Sequence, residues 1–111
     1  MFERVSQGAV DVIRGDTPLD AERVAEVTAL LQKCLHNGQP YVVLDLEKVP
    51  LIDSAGLELL LDFRDEYQQL GGALKLAAPN LLCEEILLVT GMDESLEVFD
   101  KALAAAGSFV R

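Results

Sequence analysis

The sequence predicts an α/β domain: a mixed, mostly parallel sheet of four to five strands with about four helices. Short apolar runs alternate with helical patterns along the chain, an order typical of parallel strands joined by helices. The run that begins at Tyr41 is short and apolar on both faces, as a buried strand is. The length of 111 residues, half of them hydrophobic and a quarter charged, indicates one globular domain over residues 1–111.

The first elements are two short strands and a helix. Strands are predicted at Phe2–Val5 and Ala9–Ile13, with Gln7-Gly8 as the turn between them. The second run is mostly apolar on both faces, which predicts an interior strand. After a turn cluster, Asp20 is the expected N-cap of a helix from Ala21 to about Leu35.

The middle of the chain carries the strongest strand and the longest helix. Tyr41–Leu46 predicts a central, parallel strand. Asp45, near its carboxyl end, either faces a functional edge or only bonds a nearby backbone N–H. The short segment Asp53-Ser54-Ala55-Gly56 then precedes a helical pattern over Leu57–Leu70, which has a wide apolar arc.

The last third repeats the alternation of strand and helix. A strand is predicted at Ala73–Ala78, and Pro79-Asn80 opens a helix through about Thr90 that Gly91 ends. A short strand at Ser95–Phe99 follows, and Asp100 is the expected cap of a final Ala-rich helix ending at Gly107.

Charge and hydropathy exclude several classes of partner. The net charge of -10 argues against nucleic acid and against an anionic membrane surface, because both are bound by clustered Lys and Arg. It favours protein partners with a neutral or basic face. No signal peptide and no apolar run near the ~20 residues of a membrane span are found, so we expect a soluble, cytoplasmic protein without membrane insertion.

No metal site or enzyme active site is indicated. Cys34 and Cys83 are isolated and fall in helical patterns, where we expect buried small side chains rather than zinc ligands or a disulfide. The only histidine, His36, lies in the last turn of a helix, where it is expected to cap rather than to act as a base. Asp45 and Asp53 could form a carboxylate pair, but no substrate pocket is recognisable. We expect neither catalysis nor a cofactor.

Ser54 leaves two interpretations open. Ser and Asp are both preferred N-caps, so Ser54 could only begin a helix, and Gly56 could only permit close packing there. A hydroxyl at a helix N-terminus could instead accept a phosphate, because free backbone N–H groups and the helix dipole favour the added anion.

The chain resembles a STAS domain, and in particular a stand-alone bacterial anti-sigma factor antagonist. The matching segments span about Ala9 to Leu103. They are the Gly15 turn with Leu19-Asp20, the Val42–Leu46 strand, the Ile52–Leu57 corner, Gly71-Gly72 and Thr90-Gly91-Met92.

The resemblance implies a phosphorylation switch at Ser54. In that family the serine that follows the Asp, here Ser54 after Asp53, is phosphorylated by the anti-sigma factor. This anti-sigma factor is a serine kinase and supplies the ATP site. Ala55 occupies the position where the family frequently has a second Ser or Thr. Unmodified protein would bind the kinase and free a sigma factor, and a phosphatase would reset the system. Partner contacts are expected at Asp20, Asp45 and 53–56, with no prediction of oligomeric state. The alternative is a STAS accessory subunit of a bacterial lipid-transport ABC system.

Overall fold

The computed structural model describes residues 1–35 and 40–109, which form a sheet whose strand order follows the chain. The five strands pair in the order β1-β2-β3-β4-β5, and only the β1–β2 pair is antiparallel. The predicted mixed sheet is confirmed, with β2 in the interior and β3 at the centre. The strands are β1 (Phe2–Gln7), β2 (Val10–Gly15), β3 (Tyr41–Asp45), β4 (Ala73–Ala77) and β5 (Val98–Phe99).

Helices cover both faces of this sheet. The helices are α1 (Val24–Leu35), α2 (Ser54–Gln69), α3 (Leu81–Val89), α4 (Met92–Ser95) and α5 (Ala102–Gly107). Side chains of α1 to α4 share one core with Ile13, Leu44 and Leu76. On the other face, α5 packs on Val12 and Val43. Crossovers between parallel strands are right-handed, so adding each new strand at the same edge keeps the connecting helices on one face.

Several boundaries differ from the sequence prediction; α2 begins at Ser54 rather than Leu57, and β1 extends to Gln7, which was predicted to lie in the turn. Helix α1 begins at Val24, because residues 21–23 form a turn in which Asp20 Oδ1 accepts the Glu22 N–H at 3.1 Å. The predicted strand from Ser95 was wrong over its first three residues, because Ser95 ends α4, residues 96–97 form neither helix nor strand, and β5 begins at Val98. The cap residue of α5 is Lys101 rather than Asp100, and its side chain makes no capping hydrogen bond. His36 lies outside the described residues.

Both cysteines are buried, as predicted. Burial, with a contribution from the Asp11 carboxylate, raises the pKa of Cys34 to about 11, and burial also raises the pKa of Cys83. Beside Cys34, the Tyr67 hydroxyl donates to the Leu31 carbonyl oxygen at 2.8 Å and ties α2 to α1. The thiols are therefore protonated core groups rather than nucleophiles at neutral pH.

Candidate functional site

The loop after β2 and the loop after β3 are joined by backbone contacts. Leu19 forms a parallel bridge with Ile52, and both side chains are buried. The Leu19 N–H donates to the Leu51 carbonyl oxygen at 3.0 Å, and the Asp53 N–H donates to the Leu19 carbonyl oxygen at 3.2 Å. This bridge brings Asp20, the residue after Leu19, beside the start of α2. We call Asp20 together with residues 53–56 the corner.

Asp53, not Ser54, caps α2. Its backbone is extended (φ -100°, ψ -175°), and its Oδ1 accepts the Gly56 N–H at 3.0 Å. Ser54 is the first residue of the helix and is exposed, while Ala55 is half-buried. Within residues 1–35 and 40–109, the Ser54 hydroxyl makes no hydrogen bond, and the N–H groups of Ser54 and Ala55 have no acceptor. The interpretation of Ser54 as the N-cap is therefore wrong, and the hydroxyl is available.

Gly56 permits the close approach of α2 to the β2 loop. A Cβ built at Gly56 would overlap the Leu19 carbonyl oxygen and lie 2.9 Å from Leu19 Cγ and 3.0 Å from Ile52 Cγ2. Only glycine leaves room for the Leu19 carbonyl oxygen, which also accepts the hydrogen bond from the Asp53 N–H. The proposed packing role of Gly56 is confirmed, and it shapes the corner.

Asp20 and Asp45 occupy different surroundings. Asp20 belongs to the corner, half-buried, with its carboxylate bonded to the Glu22 N–H. The Asp45 carboxylate accepts a hydrogen bond from the Glu47 N–H at 3.0 Å. Asp45 therefore bonds a nearby backbone N–H, which is one of the two roles that the sequence left open for it. Asp45 also lines a cleft of about 300 Å³ with Arg14 and Lys48. Among the described residues, no hydrogen bond or ion pair joins Asp45 to the corner, and a role in partner binding stays a prediction.

A second contact ties α3 to the loop that leads into the corner. Asn80 caps α3 through Oδ1, which accepts the Cys83 N–H at 2.8 Å. Its Nδ2 donates to the carbonyl oxygens of Val49 and Pro50 at 3.3 and 3.2 Å. The sequence indicated Asn80 as a helix start but not as this link, because the link joins segments about 30 residues apart.

Other kinds of site find no support in the part of the chain that is described. Residues 1–35 and 40–109 contain no group of three or more His, Cys, Asp or Glu side chains placed to hold a metal ion. In the same residues, no helix has the length and apolar character needed to cross a membrane. The corner remains the arrangement with recognisable chemistry: an exposed hydroxyl at the positive end of a 16-residue helix.

Comparison with known proteins identifies the family. Residues 2–105 match the STAS domain family, so the chain belongs to it. No curated protein sequence matches the chain. The resemblance drawn from the corner and the strand pattern is therefore confirmed at the level of the family.

Solved structures share the fold over nearly the whole chain. A Thermotoga maritima protein proposed to be an anti-sigma factor antagonist is 22% identical, with a TM-score of 0.91 over 99% of this chain and 95% of that one. The anti-sigma factor antagonist SpoIIAA, unphosphorylated, is 17% identical, with a TM-score of 0.83 and coverage of 98% and 96%. The phosphorylated form of SpoIIAA from Bacillus gives a TM-score of 0.75 at 20% identity over 100% of both chains.

The same fold also occurs inside a larger transporter. The murine anion transporter Slc26a9 is 17% identical, with a TM-score of 0.76 over 92% of this chain but only 18% of its own. All these likenesses are below 25% identity and establish the fold alone.

Proposed function

We propose that this protein is an anti-sigma factor antagonist controlled by phosphorylation of Ser54. The unmodified chain binds an anti-sigma factor that is a serine kinase and thereby frees a sigma factor in the cytoplasm. The kinase transfers the γ-phosphoryl group of ATP to the Ser54 oxygen; ADP leaves, and the hydroxyl proton passes to the kinase. A phosphatase removes the phosphate and resets the switch. This chain itself supplies the acceptor, not the catalysis.

The observation that carries the proposal is the free hydroxyl of Ser54. Because Asp53 already accepts the Gly56 N–H, Ser54 is not needed to hold the helix. Its hydroxyl is exposed on the first residue of α2, where a second protein can reach it. A serine that neither packs in the core nor caps the helix is a residue that can be modified without unfolding the domain.

The local charges accommodate a phosphate. The N–H groups of Ser54 and Ala55 point out of the first turn, and the dipole of α2 is positive there. A phosphate on Ser54 carries about -1.5 to -2 charges at pH 7 and can accept from these groups. We therefore expect the modified chain to keep the fold of the unmodified one.

Release of the partner follows from desolvation at the contact. A partner packed against the Ser54 hydroxyl would have to bury the phosphate dianion, which costs several kcal/mol unless cations pair with it. Since ~1.4 kcal/mol changes affinity tenfold, phosphorylation is sufficient to abolish binding. The close fit at Gly56 supports this, because the helix start already lies against the Leu19 loop and cannot move further into it to make room for the phosphate.

The test is phosphorylation by purified serine-kinase anti-sigma factors of the same organism. Each is incubated with the chain and ATP, and the intact mass is measured. We expect a gain of one phosphate with at least one kinase, followed by loss of that kinase's binding. The gain should vanish in Ser54→Ala and persist in the matched variant Ser6→Ala, which alters an exposed serine on β1.

Failure of all kinases to modify or bind the wild-type chain would overturn the proposal. Stable copurification with an ABC-transporter ATPase, independent of Ser54 modification, would support the alternative of a constitutive transporter subunit. A phosphate gain that survives in Ser54→Ala would move the modification to another residue and contradict the role of the corner.

A further inference from the structure

A polar cleft lies where β2 and β3 end, on the face of the sheet that carries α5. Helix α5 packs on Val12 and Val43. Arg14 and Asp45 are two residues further along the same strands, so their side chains project from the same face. Together with the loops that follow these strands, they line the cleft of about 300 Å³. Ligands of open α/β sheets bind outside the carboxyl ends of the strands, which is where this cleft lies.

Charged residues of alternating sign form a row across three strands at the cleft. In the register of the sheet, Glu3 on β1 is opposite Arg14 on β2, and Arg14 is opposite Asp45 on β3. Neighbouring strands are about 4.8 Å apart, so one basic residue lies directly between two acidic ones. We call Glu3, Arg14 and Asp45 the charged row. A ligand lying across it meets both signs of charge within a short distance.

The polar groups of the cleft keep free hydrogen-bonding capacity. In residues 1–35 and 40–109, neither Arg14 nor Lys48 forms an ion pair or a side-chain hydrogen bond. At Asp45, Oδ1 accepts the Glu47 N–H, and Oδ2 has no bond within the same residues. The exposed carboxylate of Glu3 has none there either. The cleft therefore offers donors at two side chains and acceptors at two others.

The mixture of charges defines the class of ligand. A simple anion would meet the carboxylates of the charged row, and a simple cation would meet Arg14 and Lys48; like charges in contact are unfavourable. A molecule with one ammonium and one carboxylate avoids both penalties. Asp16, a further acid of the lining, is already bonded by the amino group of Met1 at 2.7 Å, so it leaves the charged row as the main acceptor.

We propose that this cleft binds a free α-amino acid whose side chain carries an amide or carboxylate oxygen. The ligand carboxylate accepts two N–H bonds from Arg14, in the bidentate geometry that a guanidinium offers. The ammonium, on the adjacent carbon, donates to Asp45 or Glu3 on the neighbouring strands, and Lys48 donates to the side-chain oxygen. A volume of about 300 Å³ lies at the lower limit of small-molecule sites, which suits a ligand of this size.

The experiment titrates the isotope-labelled full chain with L-glutamine and with L-glutamate and follows its amide resonances by NMR. We expect at least one of them to shift the amides of Arg14, Asp45 and Lys48 saturably, with a dissociation constant of about 1 mM or lower. Acetate and methylammonium each carry only one of the two charged groups. At the same concentrations they should give no saturable shift.

Variants of the charged row identify the contact. Arg14→Gln should weaken binding roughly tenfold or more, and Arg14→Lys, which keeps the charge but loses the bidentate geometry, should weaken it less. The matched control is Lys33→Gln, because Lys33 is an exposed cation on α1 that does not line the cleft. It should leave the affinity unchanged. Arg14 and Lys33 are both exposed, so the fold should persist, and thermal unfolding checks that it does.

The possible outcomes decide the inference separately from the proposed function. If neither amino acid gives a saturable shift, or if Arg14→Gln binds as tightly as the wild-type chain, the inference is wrong. Saturation by acetate with equal affinity would make the cleft a simple anion site and would also overturn it. None of these results bears on phosphorylation of Ser54, and failure of every kinase to act on Ser54 would leave the amino-acid site standing.

Discussion

At the first turn of α2, Gly56 lies against the backbone of the β2 loop with no space for a side chain. We expect Gly56→Ala to lower the free energy of unfolding by up to about 2 kcal/mol. The overlap with the Leu19 carbonyl would cost about 1–3 kcal/mol of strain, and the ~1 kcal/mol that Ala gains over Gly in a helix offsets only part of it. Urea denaturation measures the difference.

The control for Gly56 is the helical glycine at the end of α5. A Cβ at Gly107 would meet no atom within 4 Å, so Gly107→Ala should be neutral or stabilising by up to about 1 kcal/mol. If Gly56→Ala were as harmless as Gly107→Ala, the close packing of the corner would not be needed for stability.

Asp53 and Ser54, adjacent in sequence, should respond differently to the same substitution. Asp53→Ala removes the acceptor of the Gly56 N–H and should lower the free energy of unfolding by about 1 kcal/mol. Ser54→Ala should change it by less than about 0.5 kcal/mol, since the hydroxyl is exposed and unbonded within the described chain. Chemical denaturation of both variants tests this, and equal losses would mean that Ser54 shares the capping role.

The pattern of residues identified the corner, but not which residue caps the helix. Asp and Ser are about equally good N-caps, so the local sequence leaves the choice open. The bond from the Asp53 N–H to Leu19 decides it, because this bond holds Asp53 in an extended conformation outside the helix. That contact joins two loops remote in sequence, and no local pattern reveals it.

At the scale of the elements, Asn80 connects α3 to the loop before α2. Asn80→Ala removes a cap and two donors, and should lower the free energy of unfolding by about 1–3 kcal/mol. Asn80→Ser keeps a capping oxygen and loses the Nδ2 donors without placing a carboxylate against the Val49 and Pro50 carbonyl oxygens, so its loss should be smaller. Denaturation of the pair measures both, and an equal loss in both variants would locate the stabilisation in the link to Val49 and Pro50 alone.

Elements with a long or distinctive pattern were predictable, and short ones were not. The β-branched residues of β3 and the wide apolar arc of α2 can each be recognised from the local sequence alone. Helix α4 has four residues, which is too few to show a helical period. It forms because Met92 and Leu96 are both buried in the main core, so tertiary packing determines the turn between them.

For the whole molecule, the two buried thiols make the free energy of unfolding depend on pH in the alkaline range. The pKa of Cys34 is raised to about 11, and that of Cys83 is also raised. In the unfolded chain thiols ionise near pH 8.5. Above that pH the unfolded state releases protons that the native state keeps. Through Cys34, the free energy of unfolding should therefore fall from about pH 8.5 to 11 by up to about 1.4 kcal/mol per pH unit, and Cys83 adds to the decline above about pH 8.5.

Urea denaturation between pH 7 and pH 10.5 measures this dependence. The control is Cys34→Ala, which lowers stability at every pH through the lost side-chain volume but should also lower the steepness of the alkaline decline. An unchanged steepness would mean that Cys34 ionises as readily in the native state as in the unfolded state.

The order of the strands also has a consequence for how the chain is made. Each strand pairs with the one synthesised just before it, so a growing chain can form the β1–β2 hairpin first and then add β3 and β4 at the open edge. Pairing between successive strands closes shorter loops and loses less chain entropy than pairing between distant ones. A ribosome-bound chain that has exposed Ala77 already holds four of the five strands. The direction of translation and the direction of assembly coincide.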